Sequence, residues 1–229
     1  MGKRTFSLII PAAGSGSRMG GGVPKPFRRI AERTILEHTL RQFASLEELV
    51  QVVVVTTSDY FEVVERLRPL FSSGVTLEWR EGGLEREDSI RRGLEAVSEV
   101  AGLIVIHDAV RPFIRPEQVR QCLLKAERYG AAILAIPVTD TVKRVSNQGV
   151  VVSTPDRNEL WKAQTPQVFQ AELLRRAYRQ PPAEGQRTTD DATLVENIGA
   201  DVHIVEGSRD NFKITWPADF KLAELMLTK

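Results

Sequence analysis

Several short segments of this chain are apolar at consecutive positions, and no other feature limits the choice of fold as strongly. Valine occupies every position from 52 to 55, and Ile104, Val105 and Ile106 follow one another. A strand that is apolar on both faces must be covered on both sides, which is typical of a parallel sheet between two layers of helices. Five strands are predicted on this basis, over residues 5–10, 50–56, 75–79, 103–107 and 131–136.

The segments between these strands carry the signals of helix ends. Thr34 and Glu37 have the spacing of a capping box. A second helix is predicted to begin at Pro116 and to end before Gly130, and a last one follows Pro217. Apolar contacts of that last helix are expected from Phe220, Leu222, Leu225 and Met226. The alternation of strands and helices predicts an α/β fold, Rossmann-like and doubly wound, with a mainly parallel sheet.

One segment departs from this alternation. Residues 142–145 and 150–153 are short β-like runs separated by the turn residues 146–149, which predicts a hairpin. Because two strands alone bury little surface, we expect the hairpin to protrude as an arm, over about residues 138–159, and to be covered by a partner subunit. The sequence shows no interdomain linker, so residues 1–229 are predicted to form a single domain that carries this arm.

The charge balance and the single cysteine narrow the class of protein. Lysine and arginine total 31 against 30 acidic residues, and binding to nucleic acid or to a membrane surface would need a basic surplus. No apolar run is long enough to span a membrane. One cysteine, Cys122, excludes an intrachain disulfide, and its setting predicts an inert buried thiol. We therefore expect a cytoplasmic protein that binds neither nucleic acid nor membrane.

A glycine-rich segment follows the first strand directly. Gly14 and Gly16 leave backbone N–H groups accessible to anionic oxygens. A dinucleotide fingerprint would need glycine where Met19 stands, and the chain lacks a P-loop. What remains is a glycine loop with Arg18 and with Lys25, which lies between two prolines. Two cations beside backbone N–H groups suit a triphosphate.

Two further segments are predicted to reach the same edge of the sheet. Gly82 and Gly83 precede a predicted helix in which Ser89 could reach a ribose hydroxyl. Asp108 and Arg111 follow the strand 103–107, where ligands of open α/β sheets gather. Asp108 could bind a phosphate-bound Mg²⁺, a ribose or a substrate hydroxyl, and Arg111 could pair with a phosphate or with Asp108. His107, just before them, is expected to pack rather than to react.

Polar side chains in the last third of the chain suit a small polyol that carries a phosphate. They are three hydroxyls and one guanidinium: Thr141, Thr165, Thr189 and Arg157. Each threonine alone is also consistent with a cap or a turn, and Thr189 has the look of a helix N-cap. A final run, Asp210-Asn211-Phe212-Lys213-Ile214-Thr215, contributes another lysine.

Taken in order, these motifs resemble the 2-C-methyl-D-erythritol 4-phosphate cytidylyltransferase family of the non-mevalonate isoprenoid pathway. The resemblance implies transfer of CMP from CTP to the polyol phosphate with release of pyrophosphate, a divalent cation such as Mg²⁺, and a homodimer whose hairpin arms are exchanged. It implies a cytosine-recognising segment in which Leu84 stands where some members carry a polar residue.

The resemblance also assigns roles to individual residues. Those implied to act in catalysis or to position the acceptor phosphate are Arg18, Lys25, Arg157 and Lys213. Those implied to bind the nucleotide are Pro11, Ala12, Ala13, Gly14, Gly16, Gly82, Gly83, Ser89 and Asp108. Those implied to bind the polyol phosphate are Asp108, Arg111, Thr141, Arg157, Thr165 and Thr189. Asp108 is the one candidate metal ligand, and Thr141 and Arg157 could serve either subunit.

Three alternatives stay open at this point. The same chemistry could act on another polyol phosphate, such as ribitol 5-phosphate. The chain could be a non-catalytic, regulatory nucleotide-binding module, although the lysines and Arg18 argue for turnover. A Rossmann oxidoreductase is disfavoured by Met19.

Overall fold

A computed structural model describes residues 5–14, 22–180 and 188–228. Its strands are β1 (Phe6–Pro11), β2 (Arg29–Ile30), β3 (Arg33–Thr34), β4 (Leu49–Thr56), β5 (Thr76–Glu81), β6 (Leu103–Ile106), β7 (Ala131–Pro137), β8 (Arg144–Val145), β9 (Val151–Ser153), β10 (Trp161–Gln170) and β11 (His203–Glu206). Its α-helices are α1 (Ile35–Phe43), α2 (Phe61–Glu65), α3 (Arg86–Glu95), α4 (Pro116–Tyr129), α5 (Ala171–Arg179), α6 (Asp191–Asn197) and α7 (Pro217–Leu227).

Seven of these strands form the central sheet, in the order β11–β7–β10–β6–β1–β4–β5. Neighbouring strands pair in parallel except for β10, which runs antiparallel to both β6 and β7. The mainly parallel, doubly wound α/β fold is thereby confirmed.

Each face of the sheet is covered by its own hydrophobic layer. Leu8 and Ile10 of β1 pack with residues of α1 and α4, whereas Ile9, between them, packs with residues of α3 and α5. Successive side chains of a strand point to opposite faces, so the consecutive apolar residues are needed to fill both layers. The prediction drawn from the valine run at 52–55 is confirmed, because all four are fully buried.

Two strands of the sheet are absent from the sequence prediction. The first, β10, contains Pro166 and several glutamines, a composition that argues against a strand. Its pairing with β7 is interrupted between Ala163 and Gln167, so the proline lies where the ladder is already broken. The second, β11, is a four-residue strand at the edge of the sheet.

The predicted helix ends are confirmed at two helices. At α1 the Thr34 side chain accepts a hydrogen bond from the Glu37 backbone N–H at 3.1 Å. At α4, Pro116 is the first helical residue, and Gly130 ends the helix with a φ of +97°, which glycine adopts without strain.

The prediction for the last helix, α7, is partly wrong. Leu222 and Leu225 are 47% and 66% exposed, and the buried residue of this helix is Ala223. Phe220 and Leu227 are the side chains that pack beside it. Because α7 is apolar around much of its circumference, its pattern alone does not identify the face that turns inward.

The predicted hairpin is present, with strands β8 and β9 shorter than expected. Gly149 supplies the turn with a φ of +79°, and Ser146 N–H donates to the carbonyl of Val150 at 2.9 Å. Its five valines, at positions 142, 145, 150, 151 and 152, are between 37% and 63% exposed. The hairpin therefore has no apolar cover within the described part of the chain.

Cys122 is fully buried, and burial raises the pKa of its thiol to about 12. The predicted burial of the thiol is confirmed, and a raised pKa disfavours the thiolate, which is the reactive form. In the described residues, no helix has both the length and the hydrophobicity that crossing a bilayer requires.

Candidate active site

A cavity of about 590 Å³ opens at the carboxyl ends of β1, β5 and β6. Three connecting segments line it, namely residues 11–14 after β1, residues 83–86 after β5 and residues 108–110 after β6. Because these strands are parallel, their carboxyl ends meet at one edge, where open α/β sheets bind ligands. Lys25, Ser89, Lys213 and Thr215 complete much of the wall.

The glycine pair 82–83 makes close packing between two of these segments possible. A Cβ atom on Gly82 would overlap the side chain of Ala13, and one on Gly83 would overlap that of Asp88. The glycines are thus required by protein packing, whereas the sequence suggested close approach of a base. Ser89 is 3% exposed; its hydroxyl accepts from Gly83 N–H at 3.1 Å and lies 3.2 Å from the Glu85 carbonyl.

Lys25 enters the cavity from a short, well-anchored turn. Residues 25–27 form a 3₁₀ turn flanked by Pro24, and Phe27 stacks on Tyr60 with ring centroids 3.9 Å apart. The Lys25 ammonium lies 3.4 Å from the Thr215 carbonyl. The turn therefore holds this cation beside the segment that carries Lys213.

A charged cluster centred on Asp108 lies at the base of the cavity. One oxygen of Asp108, Oδ2, is 2.9 Å from Arg111 Nε and 3.2 Å from Lys213 Nζ. Burial by itself would raise the pKa of Asp108, but the positive charges of Lys213, Arg111 and Arg86 outweigh it and hold the pKa well below its usual range. Asp108 is therefore an anion that holds the side chains of Arg111 and Lys213 in place. A phosphate and Asp108 were the two partners predicted for Arg111, and the structure shows the pairing with Asp108.

Comparison with known proteins identifies the family to which this chain belongs. The family model described as 2-C-methyl-D-erythritol 4-phosphate cytidylyltransferase, IspD, matches residues 6–229. The chain belongs to this family.

Curated relatives and solved structures agree with the family assignment. The chain is 44% identical to 2-C-methyl-D-erythritol 4-phosphate cytidylyltransferase of Symbiobacterium thermophilum, over 96% of this chain and 92% of that protein. It is 41% identical to that of Bacillus cereus, over 97% of both. The crystal structure of the Thermus thermophilus cytidylyltransferase is similar with a TM-score of 0.79 at 34% identity, covering 98% of this chain and all of that one. For the Anaerococcus prevotii synthase the TM-score is 0.87 at 29% identity, with both chains fully covered.

The structure of this chain brings many of the predicted site residues together. The cavity is lined by Pro11, Ala12, Ala13, Gly14, Lys25, Gly83, Ser89, Asp108 and Lys213. Leu84 also lines it and is fully exposed. Arg18 and Gly16 lie outside the described residues.

Other predicted residues do not form part of the cavity wall. Arg111 is largely buried, and its Nη1 donates to the carbonyl of Asn211 at 2.8 Å. Thr165 is 5% exposed and hydrogen-bonded within the protein. Thr141 and Arg157 are exposed on the hairpin arm, where Arg157 Nη1 donates to the Thr139 carbonyl at 3.1 Å.

Thr189 is exposed and lies at a second, smaller cavity of about 50 Å³. The prediction that it caps a helix is wrong, because the N-cap of α6 is Asp190, whose side chain accepts from Thr193 N–H at 3.0 Å. The two residues are neighbours of similar capping chemistry, and the carboxylate occupies the position.

A buried ion pair beside the cavity is not predicted by the sequence analysis. Arg86, which lines both cavities, is 2.8 Å from Asp191, a residue that is 1% exposed. Tyr178 donates its hydroxyl to Asp191 at 2.6 Å. Burial lowers the pKa of Arg86, but the Asp191 charge outweighs this effect and the net shift is upward. The partners are distant in sequence, so spacing carries no signal for them.

Proposed function

We propose that this chain catalyses transfer of CMP from CTP to 2-C-methyl-D-erythritol 4-phosphate, giving 4-diphosphocytidyl-2-C-methyl-D-erythritol and pyrophosphate. Family membership supports the identity of both substrates. The observation that carries the chemistry is the convergence of Lys25 and Lys213, from opposite ends of the sequence, on one cavity beside the backbone of residues 11–14.

The reaction joins two anions. An oxygen of the polyol phosphate attacks the α-phosphorus of CTP, a new P–O bond forms, and the bond from that phosphorus to the bridging oxygen breaks as pyrophosphate leaves. In this proposal Lys25 neutralises charge that grows on the α- and β-phosphate oxygens, and Lys213 holds the incoming phosphate close to the α-phosphorus. Arg18 is assigned to the same charge by resemblance alone.

A general base is unnecessary for this reaction. The attacking oxygen belongs to a phosphate monoester, which is already anionic near neutral pH. The nearby imidazole is unsuited to proton transfer with a substrate, because His107 is fully buried and burial lowers its pKa to about 4. The work left to the protein is positioning and charge stabilisation.

We propose that a divalent cation, Mg²⁺ or a similar ion, binds together with the nucleotide. Across residues 5–14, 22–180 and 188–228, no cluster of three His, Cys, Asp or Glu side chains could hold a metal. Asp108, the candidate ligand, is engaged with Arg111 and Lys213 through Oδ2. These donors do not fit a metal site built by the protein, whereas Mg²⁺ is commonly held by triphosphate oxygens and water. We therefore expect a chelator to abolish turnover without lowering the melting temperature of the nucleotide-free protein.

The hairpin arm is proposed to join two copies of the chain in a homodimer. Its five exposed valines support this arrangement, because a monomer would leave them in water. Arg157 and Thr141 lie on the same arm, so the active site of one subunit would receive them from its partner. Sedimentation equilibrium should give a molar mass twice that of one chain.

The acceptor is tested by measuring pyrophosphate release from CTP and Mg²⁺ with two polyol phosphates in parallel. We expect release with 2-C-methyl-D-erythritol 4-phosphate and little with ribitol 5-phosphate. Release with ribitol 5-phosphate alone would keep the chemistry and refute the proposed acceptor. Binding of CTP without release in either reaction would instead favour a regulatory nucleotide-binding module.

Two broader predictions remain proposals. We propose a cytoplasmic location, which the single reduced and buried cysteine supports. We also propose that residues 1–229 act as one nucleotidyltransferase domain, and a single cooperative unfolding transition is the expected observation.

A further inference from the structure

Four residues beneath the cavity are joined by hydrogen bonds that no substrate role explains. Thr165 Oγ1 lies 3.0 Å from the backbone nitrogen of Asp108 and 3.0 Å from Nδ1 of His107. Nε2 of His107 lies 3.1 Å from the carbonyl oxygen of Arg111. His107 is fully buried and Thr165 is 5% exposed, so these contacts are made largely out of water.

The partners determine the direction of each bond. The Arg111 carbonyl can only accept, so His107 Nε2 carries the proton and donates it. A neutral imidazole then has Nδ1 as an acceptor, and the Thr165 hydroxyl donates to it. The same hydroxyl oxygen accepts from Asp108 N–H. The one proton of Thr165 is thus committed to His107 and is not available to a substrate.

These bonds hold both ends of one tight turn. Thr165 holds the nitrogen of Asp108, His107 holds the carbonyl of Arg111, and Arg111 N–H closes the turn on the Asp108 carbonyl at 3.1 Å. The Asp108 carboxylate that leaves this turn contacts Arg111 and Lys213. A shift of the turn would therefore move the ammonium of Lys213 at the cavity.

Asn211 ties Thr165 to the segment that carries Lys213. Its side-chain Nδ2 donates to the Thr165 carbonyl at 2.9 Å, and its own carbonyl accepts from Arg111 Nη1 at 2.8 Å. Asn211 is fully buried. Thr165 is consequently connected to Lys213 along two routes, through Asp108 and through Asn211.

We propose that Thr165 and His107 are positioning residues, which act by holding the turn 108–111 and thereby Asp108 and Lys213. This inference rests on the proposed function, because the motion it prevents would matter at the site of CMP transfer. It assigns the threonine a role different from the one its motif suggests.

The experiment compares Thr165→Val, Thr165→Ser and His107→Phe with the wild-type enzyme in steady-state kinetics. Thr165→Val and His107→Phe each remove the bonds with little change of shape, and we expect kcat to fall by about 10- to 100-fold in both. The double variant should be no worse than the more impaired single one, because both act on one turn. Thr165→Ser, which keeps the hydroxyl, should retain activity within about threefold of the wild type.

Thr56→Val is the matched control. Thr56 is also buried, and its hydroxyl has no hydrogen-bond partner in the part of the chain that the structure describes. This variant should be as active as the wild type. If Thr165→Val raises only the KM for the polyol phosphate, or if it leaves kcat unchanged, the positioning role is refuted. Should His107→Phe fail to fold, the Thr165→Val and Thr165→Ser pair decides the question.

A measurement without turnover separates this inference from the proposed function. Nitrogen-15 NMR of the His107 ring should show a neutral imidazole with the proton on Nε2, and the Nδ1 signal should shift in Thr165→Val. A proton on Nδ1 in the wild-type protein would contradict the inference even if the enzyme is active. A wild-type enzyme that releases no pyrophosphate would refute the proposed function and leave the NMR result to decide this one.

Discussion

The turn at residues 108–111 and the hairpin arm both carry residues assigned to the active site, but their surroundings differ completely. Asp108 is buried and Arg111 is largely buried; the two are hydrogen-bonded to each other, and Arg111 also donates to the carbonyl of Asn211. On the arm, Arg157 and Thr141 are exposed, and Arg157 contacts only a backbone carbonyl near the base of the arm among the bonds described. The comparison teaches that one chain builds the floor of its own cavity, whereas the arm leaves its polar side chains exposed, which is why we propose that a partner subunit covers it.

The largest effect is expected from removing a cation of the cavity. Lys25→Ala should lower the rate of pyrophosphate release by about 10²- to 10³-fold, because the ammonium would no longer offset charge developing on the phosphates. The matched control is Lys125→Ala, since Lys125 also donates to a backbone carbonyl, that of Ile204, but lies at the β11 edge of the sheet. Near-normal turnover by Lys25→Ala would remove this residue from the mechanism.

The arm can be tested by mixing two inactive variants, Arg157→Ala and Lys25→Ala. If arms are exchanged, a mixed dimer contains one site with both native residues, and random reassociation should restore about a quarter of wild-type activity. The measurement is pyrophosphate release after joint refolding, with each variant refolded alone as the control. No recovery would mean that Arg157 serves its own subunit, and the proposed exchange of arms between subunits would be refuted.

The contrast between buried and exposed contacts can also be measured in two ion pairs of equal length. Arg86–Asp191 and Arg115–Asp210 are both 2.8 Å long, but Asp191 is 1% exposed whereas Asp210 is 51% exposed. Asp191→Asn should lower the free energy of unfolding by about 2–3 kcal/mol, below the full value for a buried pair because Arg86 is partly solvated. Asp210→Asn should lower it by less than about 1 kcal/mol. Urea unfolding of both variants provides the comparison, and equal losses would contradict it.

A smaller effect is expected from pH, through His107. The charged neighbours of this ring are Asp108, Arg111 and Lys213, and burial is the main reason that its pKa is lowered to about 4. Below pH 6.5 the unfolded chain binds a proton at this residue while the folded chain does not, so stability falls as the pH falls. Between pH 6.5 and 5 the free energy of unfolding should drop by about 1.5 kcal/mol from this residue.

His107→Phe should lack that part of the pH dependence, and the other two histidines cancel in the comparison because both proteins contain them. Urea unfolding at several pH values measures the difference. Parallel curves for the two proteins would show that folding does not lower the pKa of His107 and would weaken the account of the turn.

Much of the fold was predictable because local pattern and tertiary structure agree. The valine run at 52–55 predicts burial on both faces, and Pro116 and Gly130 mark the ends of α4. Strand β10 was not predictable, because its residues are polar and include Pro166, and only pairing with β6 and β7 makes it a strand. The inward face of α7 depends on its neighbours for the same reason.

The sequence predicts which residues lie at the site better than it predicts the contacts that they make. Glycines at 82 and 83 were recognised, but the packing that requires them, against Ala13 and Asp88, depends on how the chain folds back. The hydroxyls of Ser89 and Thr165 suggested ligands, while in the structure both hold backbone. A motif identifies the residue type that a position needs, and only the fold shows whether a ligand or the protein uses it.

The most direct test of the account follows all phosphorus atoms of one reaction by ³¹P NMR. Wild-type protein is mixed with CTP, Mg²⁺ and 2-C-methyl-D-erythritol 4-phosphate. The account predicts that the triphosphate and monoester signals are replaced by equal amounts of pyrophosphate and of an unsymmetrical diphosphate ester. Unchanged spectra, or CMP and pyrophosphate beside an intact monoester, would contradict transfer to the polyol phosphate.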